Sequence, residues 1–251
     1  MSQGNAVDVL ILSNGPGELS TWVRPVVAAL RSQLSPQLEI RISVVLSPCP
    51  HATGREVEVA QAIPGVQRVQ SAKAFFPFLL WGKTADHWNW FQRGVVLFLG
   101  GDQFFPVVIG KRLGYPIVIY AEWETRWHRW VDHFVVMNAD LTLNAPQSHR
   151  YKFTTVGDIM ADSQIALNTQ PLGLTLETGT ELIGLLPGSK RAKLMQGVPL
   201  AIAIAQTLAE KRPSVQFIIP VAPTLDLETL AQYADPKHNP LVKKVGSPSA
   251  E

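Results

Sequence analysis

Cysteine is almost absent from this sequence. Cys49 stands alone among 251 residues. It has no partner for an internal disulfide, which points to a reducing, cytoplasmic compartment. Charge is sparse too. Asp, Glu, Lys and Arg make up 17% and the net charge is +2, too near neutral to read a nucleic-acid surface from it. No apolar run reaches the ~20 residues of a membrane-spanning helix. The short run Val7–Leu12 lacks the basic leader of a signal peptide, so neither feature is expected. There is no repeat at a solenoid period, no low-complexity tract and no G-x-G-x-x-G fingerprint. No metal or organic cofactor is expected. What the chain does have is apolar content, 46%, enough for one large α/β domain or two smaller ones.

The organising stretch is Glu181–Met195, ELIGLLPGSKRAKLM. Its composition predicts a buried strand (Ile183–Leu186), a tight turn (Pro187, Gly188, Ser189) and a basic helix start at Lys190. Such a βα corner offers free backbone N–H groups and a positive helix end to an anion, and Lys190, Arg191 and Lys193 add charge. An ordinary βα turn with a solvated basic helix fits the same spacing.

The chain opens in the same way. Val7–Leu12 predicts a first strand, Ser13–Glu18 (SNGPGE) a turn-rich loop, and Thr21–Leu34 a helix with Trp22, Val26, Ala29, Leu30 and Leu34 near one face. Strand, glycine loop and helix make the opening unit of a doubly wound sheet. Gly15 and Gly17 are either turn glycines or a weak phosphate cradle. Further strands are expected at Leu38–Leu46, Gln67–Val69, Gly94–Leu99, Pro116–Tyr120 and His133–Met137, and helices at Gly54–Ala62 and Phe104–Leu113, the latter closed by Gly114. Asp102 follows the Gly94–Leu99 strand through Gly100 and Gly101. A carboxylate just past a central strand sits where open α/β sheets place their chemistry.

Two stretches are rich in aromatics. Phe75 to Phe91 holds Phe75, Phe76, Phe78, Trp81, Trp88, Trp90 and Phe91, flanked by Lys73, Lys83 and Arg93. Large aromatics framed by cations suit a membrane interface or a lipid-chain pocket; a helix buried against the sheet is the alternative. Glu122–Trp130, EWETRWHRW, reads either as a surface helix with internal ion pairs or as a functional segment. Asn168–Gly179 is polar and reads as a linker. Beyond it the α/β pattern restarts, with a helix at Val198–Leu208, a strand at Val215–Pro220 and a helix at Leu225–Tyr233.

Taken in order, several of these pieces resemble the lipid-A-disaccharide synthases, a GT-B glycosyltransferase family. They are GPGELS at Gly15–Ser20, Leu99–Asp102, the Trp- and Arg-bearing segment behind Pro116–Tyr120, the V-G-x-x-x-x-D pattern at Val156, Gly157 and Asp162, and LLPGS before a basic residue at Leu185–Lys190. The last two are the most specific, and the likeness runs from about residue 7 to 220. It implies an α/β, GT-B-like fold: a Rossmann-like N-terminal domain over 1–167, a linker over 168–180 and a partial Rossmann-like domain over 181–251, facing a cleft. It implies a UDP-sugar donor, a lipid sugar-phosphate acceptor and peripheral contact with the inner face of a membrane.

By that resemblance Asp102 and Glu18 carry catalysis. Gly15, Gly17, Gly188, Ser189, Lys190, Arg191, Trp123 and Arg126 contact substrate or phosphate, and Phe75, Phe76, Phe78, Trp81, Trp88 and Trp90 meet lipid. The chain departs from the family at three points. Lys190 stands where the family usually has Arg, Phe104 and Phe105 stand near a second aspartate, and no glutamate-bearing donor motif follows the corner. The expectation is therefore a fragment or a shortened relative. Two other functions fit: a non-catalytic α/β lipid- or partner-binding relative, and a UDP-sugar epimerase of GT-B type.

Overall fold

A computed structural model describes residues 6–35, 37–50, 52–162, 173 and 179–245. The chain divides into two compact units, Met1–Asn168 and Thr169–Glu251. The expected linker at 168–180 lies almost wholly outside the described residues.

The first unit is a seven-stranded parallel sheet. Its strands are β1 (Ala6–Ser13), β2 (Glu39–Leu46), β3 (Arg68–Gln70), β4 (Gly94–Phe98), β5 (Ile117–Ala121), β6 (His133–Val136) and β7 (Phe153–Thr155), in spatial order β3-β2-β1-β4-β5-β6-β7. The central strands are apolar on both faces because both faces are covered, as parallel sheets require. Along β1, Leu10 and Leu12 enter one core while Val9 and Ile11 enter the other.

The first core is closed by α4 (Phe75–Trp81), α5 (Phe104–Leu113) and α6 (Ala139–Asn144). The second is closed by α2 (Arg24–Gln33) and α3 (Glu56–Gln61). α1 (Pro16–Glu18) runs into α2 through a π-helical segment, Leu19–Val23. The helix thus starts at Pro16, five residues before its expected start. Proline is tolerated there because its missing N–H is one of the orphan donors of a first turn. A short α7 (Ile159–Asp162) is the last described element of the unit and contains Asp162 of the V-G-x-x-x-x-D pattern.

One end of the sheet, where the strands begin, is held by a buried ionic cluster. Asp8 is fully buried and takes a bidentate bond from Arg41, 2.6 and 2.9 Å. It also accepts from the Phe91 N–H at 2.6 Å, and Arg68 lies 3.5 Å away. The Tyr115 hydroxyl stands 2.9 Å from Asp8 and 2.5 Å from the Phe91 carbonyl. Burial, then the hydrogen bond to Asp8, push the Tyr115 phenol up, so it stays a donor. Burial and the neighbouring Arg41 push Arg68 down. Arg41 lies over the Phe91 ring and Arg68 over Trp88 and Trp90.

The second unit pairs β8 (Glu181–Gly184) with β9 (Val215–Ile218) in parallel, beside α8 (Arg191–Lys211), α9 (Leu227–Gln232) and α10 (Leu241–Val245). β8 sits two residues earlier than expected. Pairing with β9 ends at Gly184, and Leu186 turns out to solvent. α8 is long and apolar enough to cross a membrane by length and composition, contrary to the expectation from unbroken apolar runs. Its charged ends and interior Pro199 had broken that pattern. Leu194, Val198, Pro199 and Ala201 form its buried side.

Candidate functional site

The strand order reverses between β1 and β4, since β2 and β3 lie on one side of β1 and β4 to β7 on the other. Ligands of open α/β sheets bind beyond the carboxyl ends of the strands at such a switch point. Both expected carboxylates follow these two strands: Glu18 after β1 and Asp102 after β4. The loop ends are tied together. The Ser47 N–H donates to the Ser13 carbonyl and the Leu99 N–H to the Leu12 carbonyl, both at 2.8 Å.

Glu18 is half-buried and folds back so that its carboxylate fills the space a Cβ at Gly15 would take. A carboxylate over the first turn is favourable to the helix dipole. Pro16 contributes no N–H to that turn. Gly15 is therefore needed for the close approach of Glu18, while Gly17 is exposed with open space around it. Gly15 packs against Glu18, and Gly17 lies at the surface.

Asp102 is exposed, and its Oδ1 accepts from the Phe104 N–H at 2.8 Å, capping α5. The preceding Gly100 and Gly101 have φ of +143° and +114°, a backbone that side chains rarely adopt. A Cβ at Gly100 would stand 3.2 Å from Glu18 Cγ, so the two loops that carry the acids are in contact.

Sequence reasoning missed Gln103. It is 7% exposed; its Nε2 donates to the Glu124 carbonyl and its Oε1 accepts from the Arg126 N–H, both at 2.8 Å. It fastens the segment after β5 to the start of α5. That segment, Glu122–Trp130, is an irregular loop and not a surface helix. Trp127 adopts φ +62°, and its ring packs 5.0 Å from Phe104. A bulky residue there carries local strain, of the kind that clusters at binding sites. Trp123 is exposed, and Arg126 pairs with Glu124 at the surface, 2.5 Å. At the far end of the loop, burial, then His149 and Lys152, push the His128 imidazole down. Its Nε2 meets the Thr125 hydroxyl at 3.0 Å. A polar residue at a helix start ordinarily faces water, so nothing in the sequence marked Gln103.

The aromatic stretch divides. Phe75 and Phe78 are fully buried in the first core; they cannot meet lipid, which corrects that expectation. Trp88 and Trp90 are half-buried against the same core and stack on Arg68. Phe76 and Trp81 face outward, 53% and 66% exposed, with Pro77 and Leu80 beside them and exposed Lys73 and Lys83 at either end. The helix stops at Gly82 (φ +70°), so Lys83, Asp86 and Asn89 lie past it. Arg112 caps it by donating to the Phe78, Leu79 and Leu80 carbonyls at 2.6–2.9 Å.

In the second unit every residue from Gly188 to Lys193 is exposed. Lys190 is the N-cap of α8, without a side-chain cap bond, and no acid sits in the first turn. The opening amides and the Lys190, Arg191 and Lys193 side chains are open to an anion. Gly188 has φ +104°, and a Cβ there would press on Lys193 at 2.8 Å. Gly197 allows α8 to lie against the Pro187 carbonyl. Among the described residues no cluster of three metal-ligating side chains occurs.

No family model matches the chain. Over 141 residues it is 28% identical to lipid-A-disaccharide synthase of Trichlorobacter lovleyi, covering 51% of this chain and 36% of that protein. The same enzyme of Anaeromyxobacter dehalogenans is 29% identical over 133 residues (49% and 35%), and that of Coxiella burnetii 23% over 139 (51% and 37%). The resemblance to the lipid-A-disaccharide synthases holds. The matched stretch spans little more than a third of the length of those relatives.

In structure the chain is similar to the UDP-GlcNAc 2-epimerase of Neisseria meningitidis bound to UDP-GlcNAc, with a TM-score of 0.55, 14% identity and 96% of this chain and 69% of that one covered. It is also similar to the UDP complex of S. aureus MnaA, with a TM-score of 0.52, 12% identity and 92% and 65% covered. These likenesses establish the fold class, α/β and GT-B-like.

Proposed function

We propose that this chain serves glycosyl transfer: it moves an acylated glucosamine from a UDP-sugar to a lipid sugar-phosphate acceptor at the inner face of a membrane. The carrying observation is the pair of carboxylates, Glu18 and Asp102, on two touching loops at the switch point of a chain whose curated relatives are disaccharide synthases. Transfer asks for a base that accepts the proton of the attacking hydroxyl and for positive charge at the departing diphosphate. Asp102 has its second oxygen left for the first task. The Gly188–Arg191 corner suits the second, and solved structures of this fold hold UDP or UDP-GlcNAc. Trp123 and Arg126, held by Gln103, flank the acceptor.

Isothermal titration of the chain with UDP tests the donor half. Lys190→Ala with Arg191→Ala is expected to weaken binding by about tenfold, with a larger loss at low salt because exposed charges are then least screened. Unchanged binding would return the corner to an ordinary βα turn. The membrane half rests on the outward face of α4. Phe76→Ser with Trp81→Ser is expected to lower sedimentation with anionic vesicles severalfold and leave the melting temperature unchanged, because neither ring is in the core. A large stability loss would mark them as structural.

A UDP-sugar epimerase is the second reading, favoured by the structural likeness across nearly the whole chain. It would bind UDP-sugar and have no use for an apolar helix face. A non-catalytic lipid- or partner-binding relative would keep that face and give no heat with UDP.

A further inference from the structure

The Glu122–Trp130 loop is fastened at its two ends by different chemistry. Near its start, the neutral Gln103 side chain holds the Glu124 carbonyl and the Arg126 N–H. Its far end is held through His128, which is half-buried. The imidazole lies 5.4 Å from the Phe134 ring of β6 and stacks on Phe153 of β7 at 6.0 Å. Its Nε2 meets the Thr125 hydroxyl at 3.0 Å. Beside it stands the short turn Gln147–Lys152, whose His149 ring is 6.1 Å away. Lys152 Nζ donates to the His128 and Val131 carbonyls at 2.9 and 2.7 Å. The Trp130 and Val131 N–H groups both donate to the Trp127 carbonyl and close the end of the loop.

The charges that act on this imidazole have one sign. Burial first, then His149 and Lys152, hold it below the ordinary histidine value of 6.5. β6 and β7 present rings to it, and His133 at the start of β6 is bonded to the Thr154 hydroxyl. The loop's own charges are engaged elsewhere. Glu124 pairs with Arg126, Arg129 lies over the Trp130 ring, and Asp132 accepts from the Ile117 N–H. Arg150 of the turn donates to the Leu143 and Ala145 carbonyls. A proton on His128 therefore adds a cation beside Lys152, and beside His149 once that ring is charged, with no acid among the groups that act on it. Trp127, the preceding residue, is held at φ +62°, so the fastened loop already carries strain that release would relieve.

We propose that the contact between His128 and the Gln147–Lys152 turn is a pH-sensitive latch: it is closed while both histidines are neutral, and their protonation frees the far end of the loop while Gln103 keeps the near end in place. A released imidazole takes its proton near pH 6.5 and the latched one only at lower pH. Latching is therefore full above that value and is lost as the pH falls from there through the latched value. The device acts on the loop that carries Trp123 and Arg126, and it does not depend on what those side chains bind.

Amide exchange read by NMR on the full chain tests it, with protection taken relative to an unstructured peptide at the same pH so that the intrinsic pH dependence cancels. Between about pH 7.5 and about pH 5.5, protection of the Trp130 and Val131 N–H groups is expected to fall about fivefold, within the roughly tenfold per pH unit that one coupled proton permits. The Arg126 N–H, held by Gln103, and the amides of β1 and β4 should change by less than about twofold. His128→Phe keeps a ring against Phe134 and Phe153 and cannot take a charge, so its protection should not depend on pH. His149→Gln removes one of the two neighbouring cations and should cut the fall to about twofold.

An undiminished fall in either variant overturns the latch. So does a wild type whose protection is unchanged or rises at the lower pH, which would mean that the two phenylalanine faces hold the imidazolium. A fall shared equally by β1 and β4 also overturns it, in favour of general acid unfolding. If His128→Phe shows no cooperative melting transition, His149→Gln decides: a reduced fall supports the latch and an undiminished one ends it.

Discussion

Asp102→Asn is expected to lower turnover by about 10²-fold or more while the fold survives, as general-base catalysis contributes typically 10²–10⁴. The loss corresponds to about 2.7 kcal/mol of transition-state stabilisation at 1.36 kcal/mol per decade. Asparagine can keep the bond Asp102 makes, since its amide oxygen accepts from the Phe104 N–H as the carboxylate does. What it cannot do is take a proton. Asp102→Ala would also remove the cap of α5, worth about 1 kcal/mol, and would mix the two effects. The readout is kcat at saturating donor and acceptor beside a melting curve. Near-normal kcat in Asp102→Asn, with a large loss in Glu18→Gln, would transfer the role to Glu18.

Asp8→Ala is expected to destabilise the chain by about 3–5 kcal/mol, the usual cost of removing one partner from a buried charge network. Asp8 is fully buried and serves four donors. Its loss would leave the Arg41 and Arg68 guanidiniums, the Phe91 N–H and the Tyr115 hydroxyl around an empty acceptor position. The guanidinium side chains are 17% and 16% exposed, so water reaches them poorly. The melting midpoint should fall by roughly 10 °C on a scale of 2–4 °C per kcal/mol. A fall below about 2 °C would show that the cluster is not what holds this end of the sheet. It is the end away from the candidate site, and it ties the starts of β1, β2 and β3 to the turns before β4 and β5.

The layered plan was readable because parallel strands covered on both faces are unbroken apolar runs. Val7–Leu12 and Gly94–Leu99 became β1 and β4 within a residue, and Phe104–Leu113 became α5 between the Asp102 cap and Gly114. The position of Asp102 and Glu18 after neighbouring strands followed from the same pattern. What was not readable depended on partners far along the chain. Asp8 meets Arg41 and Tyr115 across 33 and 107 residues, and no local period records that. The aromatic stretch showed its composition but not its faces. Only the packing of α4 separates Phe75 and Phe78 from Phe76 and Trp81. Glu122–Trp130 carries charges at helical spacing, yet Gln103 and the positive φ of Trp127 hold it as a loop.

The most direct test of glycosyl transfer follows the fate of the donor by NMR, with the chain, a UDP-acylglucosamine and a glucosamine 1-phosphate lipid in vesicles. Free UDP and a disaccharide should accumulate together, and only when the acceptor lipid is present. Inversion of the donor at C2 without acceptor, or a donor left unchanged by a folded protein, would contradict it.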